Sequence, residues 1–230
     1  MENLSYIKRN FDSLTEEIRD LASSLGIATP RLVCVTKSGS DEELLELARV
    51  GALEMGENRP QEVKRRFELL RANGFEARMH EIGTLQRNKI KLVAPCADMI
   101  HSVDSIKLAS DINRHAEVLG RKIPILIEIN SAKEEQKSGV LPEDAERLLT
   151  EIMKLGSLTV SGLMTMGPVV EDPEETREYF RLTKKLFDTL GERYGFGDTP
   201  TLSMGMSDSY RVAIEEGSTL VRVGRRLFIK

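Results

Sequence analysis

The sequence alternates between short apolar runs and amphipathic segments with helical spacing, roughly eight times along the chain. Short apolar runs rich in branched side chains predict strands buried on both faces, as in parallel sheets. These runs lie at 32–35, 52–57, 78–82, 97–101, 123–129, 158–163, 201–204 and 219–223. Eight strand–helix units in 230 residues indicate a (β/α)8 TIM barrel, with a doubly wound open sheet as the alternative. No linker or low-complexity tract interrupts the pattern, so we predict one domain over residues 1–230.

Local signals mark where several helices begin and end. An apolar stripe from residue 4 to residue 25 predicts an extra N-terminal helix ahead of the first strand, and Gly26 follows as a stop. Ser40 and Glu43 have the spacing of a capping box, so a helix is expected directly after the first strand. Asp104 and Ser207 are predicted to cap two later helices.

The bulk composition excludes several functional classes. With 33 basic and 37 acidic residues the net charge is −4, which gives no general attraction to nucleic acid or to anionic membranes. The first ten residues are polar and of mixed charge, which predicts no signal peptide. No apolar run approaches the roughly 20 residues that span a bilayer. Two isolated cysteines, Cys34 and Cys96, are no disulfide framework, so we expect a cytoplasmic protein.

Lys37 ends the first apolar run and is the first candidate for chemistry. It is expected at the carboxyl end of a buried strand, the edge where parallel α/β folds place their active sites. A lysine held between apolar walls there would lose hydration, its pKa would fall, and its amine would become nucleophilic toward aldehydes. The alternative is a surface lysine at the end of a strand.

Polar residues also occur near the ends of other predicted strands, where a barrel would bring them to one mouth. The candidates are Lys37, Asn58, His80, His101, Asn130, Met164, Ser203 and Arg222. Taken singly, each histidine is more simply a hydrogen-bonded residue at a strand end than a base. The three histidines of the chain show no metal-ligand spacing, so a metal site is not expected.

The last two predicted strands are each followed by a glycine-containing loop. Gly205 follows Ser203 closely, and Gly224 follows the eighth strand. Glycine lets the backbone approach an anion, helix N-termini offer unpaired N–H groups, and barrels commonly bind phosphate after strands seven and eight. A nucleophilic lysine opposite such a cradle suggests an aldehyde that carries a phosphate. Pyridoxal 5′-phosphate fits, and so does a sugar phosphate in a Schiff-base aldolase.

At these residues the sequence resembles the pyridoxal phosphate homeostasis proteins, single-domain relatives of the alanine racemase N-terminal barrel. The matching motifs occur in family order over nearly the whole chain: 33–37, Gly56-Glu57-Asn58, 80–89, 100–104, Lys137-Ser138-Gly139, 162–166, 202–207 and 213–224.

The resemblance implies a role for each matching site residue. Lys37 would form the Schiff base, and Asn58 would lie near the phenolic oxygen of the cofactor. Ser203 and the backbone at Gly224 and Arg225 would hold the phosphate. Arg222 would face the pyridine nitrogen, where a cation disfavours protonation of the ring and weakens it as an electron sink.

Two positions depart from the family pattern. Thr84 stands where many members have a histidine, which leaves any role of that position open. Arg225-Arg226 stands where many members have small residues, and the added positive charge is expected near the phosphate.

The resemblance also implies a carrier or buffer of pyridoxal 5′-phosphate rather than a robust enzyme. Racemases of this fold use a second base, a tyrosine from an additional β domain that we do not expect here. The four tyrosines of the chain, Tyr6, Tyr179, Tyr194 and Tyr210, fall in predicted helices. An amino-acid racemase or a Schiff-base aldolase is the alternative.

Further expectations concern partners. We expect a monomer whose recipients are apo forms of pyridoxal-phosphate enzymes, without nucleic-acid or membrane partners. Lys137 is a secondary candidate for accepting the cofactor during transfer, against the simpler interpretation of a solvated loop lysine.

Overall fold

The strands of the protein close into one parallel barrel in the order β1 to β8, as a computed structural model of residues 4–134 and 136–230 describes. The strands are β1 Arg31–Val35, β2 Glu54–Glu57, β3 Arg78–Glu81, β4 Met99–Val103, β5 Ile123–Glu128, β6 Leu158–Met164, β7 Thr201–Ser203 and β8 Leu220–Val223. The helices are α1 Ser5–Ser24, α2 Asp41–Arg49, α3 Pro60–Ala72, α4 Ile90–Val93, α5 Ile106–Val118, α6 Ala145–Ile152, α7 Arg177–Tyr194 and α8 Tyr210–Glu215. Short 3₁₀ turns cover 87–89, 142–144, 173–176 and 225–227.

The pairing of the first strand with the last separates the two predicted architectures. Arg31 pairs with Leu220, and Cys34 with Val223, in parallel register. An open doubly wound sheet would leave its outer strands unpaired, so the barrel prediction is confirmed and the open-sheet alternative is wrong. The extra N-terminal helix is confirmed as α1, which lies against α2, α8 and the 3₁₀ turn at 225–227.

Strand residues alternate between a helix-facing core and the barrel interior, since successive side chains of a strand point to opposite faces. Met55, Met79 and Ile100 belong to the large core that also contains the buried helix residues. The opposite face carries two small apolar clusters: Val33, Val35 and Leu220 with Ile82, and Met99, Leu126 and Met164. That same interior face also carries buried polar residues, among them Glu54, His80, His101, Glu128, Ser203 and Arg222.

Two of the predicted helix caps are wrong. The N-cap of α5 is Ser105 rather than Asp104, because β4 extends to Val103 and the Ser105 hydroxyl accepts a hydrogen bond from the Leu108 amide. Ser207 does not cap α8, which begins three residues later; its hydroxyl accepts from the Gly224 amide instead. The capping box of Ser40 and Glu43 is present as predicted.

Both cysteines are buried and free. Among the described residues, no helix combines the length and the apolar character required to cross a membrane.

Candidate functional site

Lys37 lies in a turn directly after β1. The turn is closed by the Gly39 amide, which donates to the Thr36 carbonyl at 2.9 Å. Lys37 is exposed at the rim of the barrel, whereas Thr36 is fully buried. The expectation of a lysine dehydrated between apolar walls is therefore wrong for this structure, because the chain leaves the strand two residues before the lysine.

Gly224 brings the loop after β8 into contact with β1. A Cβ atom at this position would lie 2.9 Å from the Val35 carbonyl oxygen, which is closer than side chains approach backbone atoms. A residue other than glycine would therefore push β8 away from β1. Since Val35 is two residues before Lys37, the lysine turn and the Gly224 loop are neighbours at the rim, not opposite each other as expected.

The Ser207 hydroxyl joins the loops after β7 and β8. It accepts a hydrogen bond of 3.3 Å from the Gly224 amide, and Ser207 itself is half-buried. Gly205 has a φ of +91°, a conformation that side chains rarely adopt, and a Cβ there would meet Ala213 at 2.5 Å. The two predicted glycine loops thus meet at one place, with Ser207 between them.

The two arginines after Gly224 are each paired with an acidic residue. Arg225 pairs with Asp208 and is largely exposed. Arg226 reaches α1, where it pairs with Glu17 at 2.9 Å and lies over the ring of Tyr210. Its charge is therefore used to attach α1 to the end of the barrel.

Ser203 is placed in the barrel interior, not in the glycine loops. Its hydroxyl accepts from Nη1 of Arg222 and lies 3.1 Å from Nδ1 of His101. Arg222 also donates from Nη2 to the Thr165 carbonyl at 3.1 Å. The residues predicted to hold the phosphate and the ring nitrogen, Ser203 and Arg222, are thus bonded to each other, and the hydroxyl that contacts Gly224 is that of Ser207.

A chain of polar side chains continues from Ser203 through the barrel. Nδ1 of His80 lies 2.9 Å from Nε2 of His101, and Nε2 of His80 lies 3.5 Å from Oε2 of Glu54. Glu54 in turn accepts from Arg31 at 3.2 Å. This chain of polar side chains connects strands β8, β7, β4, β3, β2 and β1.

Burial determines the charge states along this chain. Desolvation lowers the pKa of His80 to about 3, helped by the charges of Arg31 and Arg78. Burial likewise lowers the pKa of His101 far below its ordinary value, with further contributions from His80, Arg222 and Arg31. The pKa of Arg222 falls to about 10, so this residue remains a cation at neutral pH. Both histidines are therefore neutral beside a buried guanidinium.

Glu128 adds a second buried acid to the interior near Arg222. Burial raises its pKa to about 7, assisted by Asp104 and opposed by the charge of Arg222. One carboxyl oxygen, Oε2, has no hydrogen-bond partner among the described residues. Glu128 was not identified from the sequence, since the strand that carries it reads as a plain apolar run.

The remaining candidates lie around the rim or serve the fold. Asn58 is exposed in the loop after β2. Asn130 is buried and closes its own loop by hydrogen bonds with the backbone of Glu134. Met164 packs inside the barrel. Lys137 is half-buried, and its ammonium donates to Glu134 at 2.6 Å and to the Gly167 carbonyl at 3.3 Å. Thr84 contacts the Ser138 hydroxyl at 3.3 Å.

Comparison with known proteins identifies the family to which this barrel and its motifs belong. The family model for the alanine racemase N-terminal domain matches residues 9–229. A protein of Aquifex aeolicus named pyridoxal phosphate homeostasis protein is 40% identical over 198 residues, which is 86% of each chain. The chain belongs to the pyridoxal phosphate homeostasis protein family.

Solved structures agree with this family assignment. An unknown protein from Bifidobacterium adolescentis superposes with a TM-score of 0.91 at 34% identity, over 99% of this chain and 97% of the other. PipY of Synechococcus elongatus, in a structure with PLP bound, superposes with a TM-score of 0.84 at 29% identity, over 97% and 100% of the two chains.

Within a single family motif, the fold directs different residues to different sides of the barrel wall. In Gly56-Glu57-Asn58, Asn58 reaches the rim, whereas Glu57 is fully buried on the helix-facing side of β2. In 202–207, Ser203 faces the interior and Ser207 the glycine loops. Ser207 lies two residues after Gly205, so its place in the loop follows from the sequence, although the local pattern predicts a helix cap there.

Proposed function

We propose that this protein binds pyridoxal 5′-phosphate through a Schiff base on Lys37 and holds the cofactor for intracellular homeostasis, without robust catalysis. The observation that carries the proposal is the contact of Gly224 with Val35, which makes the lysine turn and the glycine loops adjacent at one rim. The names of the Aquifex relative and of the PLP-bound PipY structure supply the ligand.

The groups present at this rim suit the chemistry of that ligand. Lys37 is an accessible primary amine, and the Ser207 hydroxyl and the backbone of Gly224 and Arg225 offer polar contacts for a phosphate. Arg222 has five N–H donors and uses two of them in the bonds to Ser203 and Thr165. When bound, the cofactor supplies an aldehyde that condenses with an amine. In this proposal Asn58 lies beside the cofactor near its phenolic oxygen, and Arg222 faces the ring nitrogen while bonded to Ser203.

The structure also supports a low catalytic activity. Because Arg222 remains a cation, it disfavours a proton on a ring nitrogen that faces it. An unprotonated ring is a weaker electron sink. Tyr6, Tyr194 and Tyr210 lie on helices with their hydroxyls bonded to Glu43, Glu146 and Glu17 respectively. Tyr179 lies within α7. We infer that no tyrosine of the described chain acts as a second base opposite Lys37.

Absorbance spectra with added pyridoxal 5′-phosphate test the proposal. We expect a Schiff-base band in the wild type and in Lys137→Ala, which removes a second lysine of the loops, but not in Lys37→Ala. Borohydride reduction and peptide mapping should place the adduct on Lys37. An adduct elsewhere would remove the assignment to Lys37, and absence of the band would favour the aldolase alternative.

Turnover assays on the same preparations separate a carrier from an enzyme. We expect negligible racemisation of alanine and no cleavage of sugar phosphates, together with transfer of the cofactor to an added apo enzyme. Rapid racemisation by the pure protein would contradict the carrier function. Cytoplasmic location, a monomeric state and apo-enzyme recipients remain predictions.

A further inference from the structure

We propose that Glu57 and Arg66 are positioning residues for Lys37: their buried ion pair holds both ends of the turn that carries the lysine. This inference deepens the proposed function and rests on it for the role of Lys37. Both side chains are buried, unlike the exposed side chain of Lys37. Glu57 lies on the helix-facing side of β2, and Arg66 reaches it from α3.

The contacts join the pair to the two ends of the turn. The Thr36 hydroxyl donates to Oε1 of Glu57 at 2.5 Å, and Nε of Arg66 lies 3.1 Å from the same oxygen. Arg66 also donates from Nη2 to the Gly39 carbonyl at 2.7 Å. Thr36 precedes Lys37 directly and Gly39 follows two residues later, so the pair contacts the chain on both sides of the lysine.

The burial of the pair supports a positional role. The side chains of Glu57 and Arg66 are 1% and 6% exposed. Removing two charges from water is costly, and apolar residues of similar size often stabilise a protein as well as a buried ion pair does. Stability alone therefore does not account for a charged pair here. An apolar pair would provide neither a donor for the Gly39 carbonyl nor an acceptor for the Thr36 hydroxyl.

The surroundings leave the turn little freedom beyond these contacts. A Cβ atom at Gly39 would lie 2.4 Å from the Phe228 ring, so the far end of the turn is packed against the C-terminal segment. The Thr36 amide donates to the Gly56 carbonyl at 3.1 Å. The side chain of Lys37 is thus exposed, whereas the backbone of its turn is held by buried contacts. A lysine with a fixed backbone loses less conformational entropy when its amine reacts.

Two substitutions test the inference with little damage to the fold. Thr36→Val keeps the side-chain shape and removes the hydroxyl, and Arg66→Lys keeps the charge and removes the fork that reaches Gly39. Arg65→Lys is the matched control, since Arg65 is the neighbouring arginine of α3 and is paired with Asp41 and Glu62 on the exposed side. The first readout is amide exchange of Gly39 in the protein without cofactor. The second is the rate of borohydride trapping of pyridoxal 5′-phosphate on Lys37.

We expect Gly39 exchange to accelerate and trapping to slow by about tenfold each in Thr36→Val and Arg66→Lys, the scale of one buried hydrogen bond. Exchange of the β1 amides and both rates in Arg65→Lys should match the wild type. Wild-type Gly39 exchange or wild-type trapping in both variants would overturn the inference and leave the proposed function intact. If the wild type itself is not trapped on Lys37, the proposed function fails, and Gly39 exchange alone decides whether the pair holds the turn.

Discussion

Nδ1 of His80 lies 2.9 Å from Nε2 of His101 inside the barrel, at the middle of a polar chain that runs from Arg222 to Glu54. Both rings are neutral, so each has one donor and one acceptor nitrogen. Arg222 can only donate, and Glu54, paired with Arg31, offers acceptor oxygens. Two arrangements give both ring contacts a donor and an acceptor, and one of them places a proton rather than a lone pair on Nε2 of His80, 3.5 Å from Oε2 of Glu54. In that arrangement Ser203 donates to His101, and His101 donates to His80.

This arrangement predicts the tautomer of both histidines. His80 and His101 should each carry their proton on Nε2, because both Nδ1 atoms accept. Long-range ¹H–¹⁵N spectra of the protein should show two Nε2–H rings whose shifts do not change between about pH 5.5 and 8, since burial holds both pKa values below that range. A proton on Nδ1 of either ring, or titration within the range, would contradict the chain as described.

Ser203 and Ser207 should have separable effects. Ser203→Ala leaves a donor of Arg222 and a nitrogen of His101 without their partner, so the free energy of unfolding should fall by about 1–3 kcal/mol. Ser207→Ala removes a half-buried hydroxyl and should change stability by less than about 1 kcal/mol. Urea unfolding of the two variants measures this difference.

The effect of the two serine substitutions on ligand preference should follow the opposite order from their effect on stability, with the larger change in Ser207→Ala. Ser207→Ala should reduce the advantage of pyridoxal 5′-phosphate over pyridoxal, because Ser207 contacts the Gly224 loop. Spectroscopic titration with both compounds gives the ratio of their affinities. If Ser203→Ala lowers that ratio more than Ser207→Ala does, the phosphate contact belongs to Ser203 instead.

Gly224 should tolerate no side chain. Gly224→Ala forces β8 and β1 apart at the Val35 carbonyl, and we expect a loss of about 1–3 kcal/mol of stability together with weaker binding of pyridoxal 5′-phosphate. Gly156→Ala is the matched control: it lies in open space, without a positive φ, and should be tolerated. Thermal unfolding and titration of both variants test the pair. Equal behaviour would remove Gly224 as the residue that joins the two loops.

Glu81 should make the stability of the protein decrease with rising pH. Burial, with the nearby charge of Glu57, raises the pKa of this carboxyl to about 8 in the folded state, although the Gly83 amide opposes the shift. The folded protein therefore binds this proton more tightly than the unfolded chain does. Its contribution is complete below about pH 4.5 and is lost as the pH rises through about 8, on the order of a few kcal/mol.

Glu81→Gln removes this titration and keeps the oxygen that accepts from Gly83. The variant should match the wild type near pH 5 and be more stable than it near pH 9, as measured by urea unfolding of the protein without cofactor. Wild-type stability that does not decrease over this range relative to the variant would show that Glu81 is ionised in the fold.

The amino-acid sequence by itself determined the elements and their order. Apolar runs separated by helical stripes are local patterns, and the capping box at Ser40 depends only on residues three apart. The same local patterns predict that Lys37 follows the first strand and that Gly205 and Gly224 follow the last two. These predictions held because hydrogen bonding within a turn of chain, and apolar burial along one face, leave a direct record in residue spacing.

The tertiary structure decided which way the residues at the strand ends face and which of them meet. Ser203 and Ser207 are four residues apart, yet one bonds to Arg222 inside the barrel and the other to the Gly224 loop. The chain from Glu54 through His80 and His101 depends on six strands in one register, and the support of Lys37 depends on an arginine nearly thirty positions later. Such contacts arise from barrel closure and from the desolvation of charged groups between layers, neither of which is expressed in the spacing of neighbouring residues.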